Sequence, residues 1–118
     1  MDLYPTLLAA CHIESLPSQH CDGLSLLNAA KGKEVPQRTI GWHYPRRHGS
    51  GHRPSTAIRK GRHKLIHFIE SDQWELYDLV ADKEESNDLA DSSPDVLARL
   101  QNELEHWRNE TTQSESSE

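Results

Sequence analysis

The stretch that decides the fold is STAIRKGRHKLIHFIE, residues 55–70. Two runs of β-branched, apolar and basic residues flank the pair Lys60-Gly61 in its middle. A glycine-containing break between two such runs is typical of the tight turn of a β-hairpin. The stretch therefore predicts two antiparallel strands joined by a turn at Lys60-Gly61.

The segments on either side of this hairpin add further strands. Downstream, the segment WELYDL at 74–79 is predicted to be a strand, because Trp74 and Leu76 alternate with Glu75 and Tyr77. Upstream, residues 38–44, RTIGWHY, are rich in β-branched and aromatic side chains, which favour strands. The sequence thus predicts three to four antiparallel strands.

A long amphipathic helix is predicted after the strands. Ser93 is a favourable N-cap residue, and Pro94 suits the first helical position. The apolar residues that follow recur at helical spacing on one stripe: Leu97, Leu100, Leu104 and Trp107. The sequence therefore predicts an α+β fold, in which a small antiparallel sheet is packed by a C-terminal helix. Residues 109–118 lack apolar side chains and are predicted to be a disordered acidic tail.

The N-terminal segment has an apolar stripe of its own. Pro5 suits the first turn of a helix predicted over residues 5–12, and Leu3, Leu7 and Cys11 fall on one face of it. This face needs a surface to pack against. Cys11 is predicted to be a small buried side chain within it.

Charge is distributed unevenly along the 118 residues. Residues 1–34 carry a formal charge of −2, residues 35–69 carry +8 with no acidic residue, and residues 70–118 carry −12. A basic segment within an acidic chain suggests a surface that meets an anion. Hydrophobic residues make up 34% of the chain, which supports only a thin core and favours contact with a partner surface.

The basic segment contains the candidate binding residues. Its loop, residues 43–53, concentrates imidazole, phenol and guanidinium groups beside two glycines. Arginine offers a planar fork of donors to sulfate, phosphate or carboxylate, and glycine lets a ligand approach the backbone. The side chains that we select as a substrate- or anion-binding rim are His43, Tyr44, His52 and Arg53. The competing interpretation is a solvated basic loop that binds nothing.

Other kinds of site find little support in the sequence. The histidines of the loop match no zinc motif, Cys11 and Cys21 have neither zinc nor C-x-x-C spacing, and no metal ligand is assigned. No catalytic residue is assigned either, since G-x-S-x-G, P-loop and H-E-x-x-H motifs are lacking. Nucleic acid and membrane partners are not expected, because we find no nucleic-acid-binding motif, membrane span or signal peptide.

Several segments, in this order, resemble motifs of type I sulfatases, the formylglycine-dependent arylsulfatase-like enzymes. They are DLYPTLLAACHI at 2–13, DGLSLLNAAKG at 22–32, GSGHRPSTAIRKGRHKLI at 49–66 and WELYDLVADKEESNDLA at 74–90, followed by a final helix that ends in Trp107. Each match alone is weak, but together they cover residues 2 to about 108. The chain resembles the C-terminal portion of such an enzyme.

The resemblance implies a division of the chain. Residues 1–34 would be the end of the alkaline-phosphatase-like catalytic domain, including a short helix left over from it, and residues 35–108 would form the smaller C-terminal subdomain. Most of the catalytic domain would be missing, with the C/S-x-P/A-x-R motif that yields the formylglycine nucleophile and the ligands of the catalytic calcium. Neither Cys11 nor Cys21 begins such a motif. The chain alone is expected to be inactive, with the missing N-terminal domain as its partner.

In this family the C-terminal subdomain borders the substrate pocket, so the resemblance implies that the selected rim contacts a sulfated small molecule or glycan. The intact parent is expected to be a sulfuric ester hydrolase of sulfated carbohydrates or aryl esters, with calcium and formylglycine as cofactors. Most members are exported. The alternatives are a free-standing anion- or sulfated-glycan-binding module that uses residues 43–53, and a chain from a misplaced start with no function of its own.

Overall fold

A computed structural model describes residues 1–14, 23–47, 49 and 51–115. For residues 112–115 it describes the backbone alone. The chain divides into two compact units, Met1–Pro36 and Gln37–Glu118. The sequence predicts this boundary two residues earlier, after residue 34.

The first unit contains two short helices, α1 (Leu3–Ala10) and α2 (Leu27–Ala30). Side chains near the start of α1 hold the segment that precedes α2: the Leu24 amide donates to Asp2 Oδ1 at 3.1 Å, and the Leu26 amide donates to Thr6 Oγ1 at 2.9 Å. Helix α2 ends shortly before Gly32. Gly32 follows it with a φ of +70°, a conformation that ends helices and favours glycine.

The apolar face of α1 lies largely in solvent in the described part of the chain. Leu3 is 72% exposed and Leu7 is 63% exposed. Cys11 is also exposed, so the prediction that it is a buried side chain is wrong. Two short helices provide too little surface to cover the stripe, which the sequence pattern alone does not reveal.

The second unit is built on a four-stranded antiparallel sheet whose strands are neighbours in the same order as in the sequence. The strands are β1 (Thr39–Tyr44), β2 (Ser55–Lys60), β3 (His63–Phe68) and β4 (Gln73–Asp78). This up-and-down order brings the β1–β2 loop and the β3–β4 turn to the same end of the sheet. The predicted small antiparallel sheet is confirmed, with four strands.

The central hairpin turns one residue later than predicted. Lys60 pairs with His63, which leaves Gly61 and Arg62 as the two loop residues. Gly61 has a φ of +58°, and a positive φ at the first loop position is what a tight hairpin turn with a favourable twist requires. Glycine adopts it without steric cost, which explains why the break in the sequence pattern falls here.

One face of the sheet is covered by the long helix α3 (Pro94–Glu115), and we call it the helix face. The register places Ile58, Leu65 and Leu76 side by side on it, one from each of three strands. These three side chains are fully buried, and Leu100 and Leu104 of the helix pack against them at 1% exposure. This cluster is the core of the unit, and it confirms the α+β fold with a C-terminal helix.

Helix α3 also contacts the edge strand β1. A Cβ atom added to Gly41 would lie 2.1 Å from Cε2 of Trp107, so only glycine leaves room for the indole ring. Glu103, one helical turn earlier, accepts hydrogen bonds from Thr39 Oγ1 and Lys60 Nζ, both at 2.7 Å. The helix is therefore held to β1 and β2 by an aromatic contact and by a shared carboxylate.

Helix α3 continues beyond residue 108, where the sequence predicts a disordered tail to begin. Residues 109–115 are helical. This stretch contains neither glycine nor proline, and Thr111 Oγ1 donates to the Trp107 carbonyl one turn back at 2.8 Å. Lack of apolar residues removes a reason to pack but does not end a helix that has already begun. Residues 116–118 lie outside the described part of the chain.

The opposite face of the sheet, which we call the open face, carries apolar side chains as well. Neighbouring strands align them in the register, and they are Ile40, Trp42, Tyr44, Ala57, Ile66 and Phe68. Trp42 is 50% exposed and Tyr44 is 45% exposed.

None of the helices among the described residues is long and apolar enough to cross a membrane.

Candidate functional site

The candidate site lies at the end of the sheet where the β1–β2 loop meets the β3–β4 turn. Residues 45–54 form the loop, and residues 69–72 form the turn. The Ile69 amide donates to the Pro54 carbonyl at 3.0 Å, which joins the two connections directly. Positions 48 and 50 of the loop lie outside the described residues. The four rim residues selected from the sequence all fall at this end of the sheet.

The structure separates His43 from the other three. Neighbouring residues of a strand point to opposite faces, so His43 lies on the helix face and Tyr44 on the open face. His43 Nδ1 is hydrogen-bonded to Thr56 Oγ1 at 2.8 Å. Spacing along the loop does not distinguish the two residues, but the strand that ends at Tyr44 does.

Tyr44 and His52 contact each other across the loop. Their ring centroids are 6.1 Å apart, and their planes meet at 60°, an edge-on aromatic arrangement. The contact holds an imidazole and a phenol at the margin of the open face. Both groups can donate or accept hydrogen bonds, as the hydroxyl groups of a sugar require.

Arg53 lies flat on the open face. Its guanidinium carbon is 3.6 Å from the centroid of the Phe68 ring, which is a cation–π contact. Its Nη2 donates to Gln73 Oε1 at 3.0 Å and to Ser71 Oγ at 3.4 Å. Both acceptors are neutral, so these two hydrogen bonds hold the guanidinium without neutralising its positive charge.

The β3–β4 turn also fixes a second arginine of the loop. Arg47 Nε donates to Glu70 Oε1 at 2.9 Å, and Arg47 Nη2 lies 2.5 Å from Glu70 Oε2. This hydrogen bonding is the main reason that the pKa of Glu70 lies below its usual value, and the nearby charge of Arg53 lowers that pKa further. Glu70 of the β3–β4 turn therefore neutralises part of the positive charge of the β1–β2 loop.

Sequence reasoning missed the residues of the β3–β4 turn and of the start of β4 that hold the arginines. Glu70, Ser71 and Gln73 supply the acceptors for Arg47 and Arg53, yet none of them belongs to a recognised motif. One signal was available: Glu70 is the first acidic residue after 35 residues without one. Only the topology, which brings the loop and the turn together, shows what Glu70 pairs with.

A second cluster lies at the same end on the helix face. His67 stacks on Trp74 with ring centroids 4.0 Å apart, and its Nε2 is 2.8 Å from Asp72 Oδ1. This stacking is a cross-strand packing contact, since His67 and Trp74 are paired in the register of β3 and β4. His67 Nδ1 is buried and has no hydrogen-bond partner among the described residues. The β3–β4 turn is thus anchored from this side as well.

The described residues do not fit the calcium or the formylglycine that the resemblance implies for an intact enzyme. Among residues 1–14, 23–47, 49 and 51–115, no three histidine, cysteine, aspartate or glutamate side chains are grouped so that they could hold a metal ion. Cys11 is followed by His-Ile-Glu, not by the residues of a C-x-P-x-R motif. Cys21 lies outside the described residues. Neither group can therefore be assigned to the part of the chain that the structure describes.

Comparison with known proteins identifies the family. The model of the family described as N-sulphoglucosamine sulphohydrolase, C-terminal, matches residues 1–110. The chain belongs to this sulfatase family. The match covers both units and the whole sheet, so the segments that resemble sulfatase motifs are confirmed as parts of a C-terminal sulfatase portion.

Individual sulfatases show the same relation. A sulfatase of Formosa agariphila is 25% identical over 122 aligned residues, which span 91% of this chain and 22% of that protein. Among solved structures, a 2-O GAG sulfatase matches with a TM-score of 0.73 and 25% identity over 99% of this chain and 26% of its own. Another, solved with its substrate D-glucosamine-2-N,6-O-disulfate, matches with a TM-score of 0.64 and 28% identity over 95% and 23%. The chain thus spans about a quarter of the length of these sulfatases.

Proposed function

We propose that this chain is the substrate-facing C-terminal portion of a sulfatase that hydrolyses sulfate esters of carbohydrates. The remaining portion, about three quarters of a sulfatase, would supply the calcium ligands and the formylglycine nucleophile. Membership of the family supports the reaction class, in which water cleaves a sulfate ester to an alcohol and sulfate. The chain alone would then not catalyse hydrolysis, because the described residues offer no such nucleophile or metal site.

The observation that carries the proposal is the grouping of Tyr44, His52 and Arg53 at one margin of the open face. A guanidinium binds a sulfate oxygen through charge-assisted hydrogen bonds, and a phenol beside an imidazole binds sugar hydroxyls. Because Phe68, Ser71 and Gln73 hold the Arg53 side chain in place, little rotamer freedom is lost when it binds a ligand.

The substrate class is proposed from chemistry and from two relatives. One neighbour is a 2-O GAG sulfatase, and another was solved with a glucosamine carrying N- and O-sulfate groups. A rim with one guanidinium and two groups that donate or accept hydrogen bonds suits a sulfated amino sugar better than an apolar aryl ester. His43 is expected to contribute less than its three companions, because it lies on the other face.

Titration of the 118-residue chain with glucosamine 6-sulfate, followed by NMR, tests the proposal. We expect chemical-shift changes at Tyr44, His52 and Arg53, and much smaller changes with unsulfated glucosamine. Arg53→Ala should weaken binding at least tenfold. Arg99→Ala, which removes an exposed arginine from the outer side of the helix, is the matched control and should have no effect.

A result in which both variants bind like the parent chain, or in which the sugar with and without sulfate behaves alike, would contradict the rim assignment. The free-standing anion-binding module, the alternative from the sequence, predicts instead that affinity follows the total positive charge of the loop. The pairing of Arg47 with Glu70 speaks against that alternative, because it neutralises part of this charge.

A further inference from the structure

We propose that Glu70 is a specificity-determining residue of the rim, because it occupies Arg47 and makes the rim select sugars with one sulfate group over sugars with two. The inference rests on the proposed function and deepens it, since it concerns the number of anionic groups that the same site accepts. Arg53 would bind one sulfate group, and Glu70 would keep a second one away. The support comes from the contacts of the two arginines, from the position of Glu70 beside both of them and from the exposure of the ion pair.

The contacts of Arg47 with Glu70 are of the kind that an arginine makes with an anionic ligand. Arg47 Nε donates to Glu70 Oε1 at 2.9 Å, and Arg47 Nη2 donates to Glu70 Oε2. Two hydrogen bonds from one guanidinium to two oxygens form the bidentate arrangement by which arginine recognises carboxylate and phosphate groups. A sulfate ester presents its oxygens in a similar way. The Glu70 carboxylate therefore fills the donors with which Arg47 would otherwise bind a ligand.

Arg53 is held differently, although it reaches the same end of the sheet. Its Nη2 donates to Ser71 Oγ at 3.4 Å and to Gln73 Oε1 at 3.0 Å, and both acceptors are neutral. These hydrogen bonds orient the guanidinium of Arg53 without neutralising it, whereas Glu70 both orients and neutralises Arg47. The two arginines are therefore unequal, and Arg53 is the one that is presented to an anion.

Glu70 lies close to Arg53 as well. Ser71, which accepts a hydrogen bond from Arg53, follows Glu70 directly in the chain. The hydrogen bond from Arg47 lowers the pKa of Glu70 most, and the nearby charge of Arg53 lowers it further, so Glu70 is ionised at neutral pH. A second sulfate group on a sugar bound at Arg53 would approach this negative charge. In water, one like charge at about 4 Å weakens binding roughly fivefold.

The ion pair of Arg47 and Glu70 lies within reach of a ligand. The side chains of Arg47 and Glu70 are 77% and 46% exposed, whereas Asp78, the carboxylate of an ion pair at the opposite end of the sheet, is 15% exposed. Asp78 also accepts a hydrogen bond from the Val80 amide and so holds a turn. An ion pair as exposed as that of Arg47 and Glu70 contributes little to global stability. Its main effect is therefore expected on what binds beside the loop.

Two sugars that differ in the number of sulfate groups test the inference on the 118-residue chain. N-acetylglucosamine 6-sulfate carries one sulfate group, N-sulfoglucosamine 6-sulfate carries two, and neither has a free amino group. Glu70→Gln keeps the size of the side chain, removes its charge and releases Arg47. In NMR titrations, we expect this variant to raise the affinity for the disulfated sugar at least fivefold relative to the affinity for the monosulfated one. Glu110→Gln, the same change at an exposed carboxylate of α3, is the matched control and should leave this ratio of affinities unchanged.

Two further variants separate the charge of Glu70 from the geometry of the loop. Glu70→Asp keeps a carboxylate and should keep the ratio of affinities of the parent chain. Arg47→Gln, added to Glu70→Gln, should abolish the gain, because it removes the arginine that binds the second sulfate group. A looser loop would weaken the binding of both sugars alike. A change in the ratio therefore reports selection by charge and not a loss of structure.

The outcomes that overturn the inference differ from those that overturn the proposed function. If Arg53→Ala weakens the binding of both sugars while Glu70→Gln leaves the ratio of affinities unchanged, the rim binds sulfate but Glu70 does not select. An equal gain in Glu70→Asp, or a gain that persists without Arg47, would also contradict selection by the Glu70 charge. If Arg53→Ala leaves the binding of the monosulfated sugar unchanged, the proposed function itself fails, and the inference fails with it.

Discussion

Both faces of the sheet carry apolar side chains, but only the helix face is covered by a helix. On the helix face, Leu65 and Leu76 are fully buried because α3 covers them. On the open face, Ile66 and Trp42 stand on the same sheet and keep part of their surface in water. The comparison shows that the apolar pattern identifies which side chains gain free energy from burial. Which of them are buried depends on whether another element of the chain covers that face.

The largest expected loss of stability comes from a substitution in the core between α3 and the helix face. Leu104→Ala removes a side chain that is 1% exposed and packs on the core cluster, and it should cost roughly 2–5 kcal/mol in the free energy of unfolding. Trp42→Ala, on the open face, should cost clearly less in the isolated chain, although tryptophan is larger. Urea denaturation of the two variants measures both losses, and equal losses would mean that the open face is already part of a core.

A smaller effect is expected where α3 meets the edge strand. Gly41→Ala directs a methyl group into the Trp107 ring, so the helix or the strand must shift, at a cost of roughly 1–3 kcal/mol. Gly49→Ala is the matched control, since a Cβ there meets no atom within 4 Å. Thermal unfolding of the two variants checks the difference. If Gly41→Ala is neutral while Trp107→Ala is not, the indole does not lie against the strand.

Much of the fold follows from local pattern. The hairpin, the strand around Leu76 and the stripe of α3 were predictable because their periodicity is set by the backbone itself. Tyr77 shows the limit of that reasoning: alternation assigns it to the exposed side of β4, yet it is 8% exposed. Burial and the hydrogen bond to Glu75 raise the pKa of the Tyr77 hydroxyl. Alternation predicts which face a residue is on but not what covers that face.

The candidate site was predictable in composition but not in arrangement. The basic loop stands out in the sequence, whereas the separation of His43 from Tyr44 depends on where β1 ends. The acceptors that orient Arg47 and Arg53 come from the β3–β4 turn and from the first residue of β4, between 18 and 23 positions further along the chain. Contacts of that range follow from the strand order, which periodicity alone does not determine.

A still smaller effect on global stability, with a clear local effect on amide exchange, is expected at the end of the sheet where the β1–β2 loop meets the β3–β4 turn. Glu70→Gln removes the carboxylate that fixes Arg47, so the loop should open more often while the core remains closed. Amide hydrogen exchange at Ile69 should increase severalfold, and exchange at Leu65 should not change. Glu110→Gln, which alters an exposed carboxylate 3.5 Å from His106, should leave both rates as they are. Unchanged exchange at Ile69 would show that the loop does not depend on this ion pair.

The smallest effect is expected at the opposite end of the sheet, and it depends on pH. The hydrogen bond from Arg62, helped by the amides of Val80 and Ala81, lowers the pKa of Asp78 to about 2. A carboxyl whose pKa is lower in the folded chain than in the unfolded one stabilises the fold above the unfolded pKa, about 3.9 for aspartate. This stabilisation is lost as the pH falls from about 4 to about 2. Asp78→Asn should therefore lower the melting temperature at pH 7 and converge with the parent chain near pH 2. If the two melting curves differ by the same amount at both pH values, the Arg62–Asp78 contact does not stabilise the folded chain through its charge.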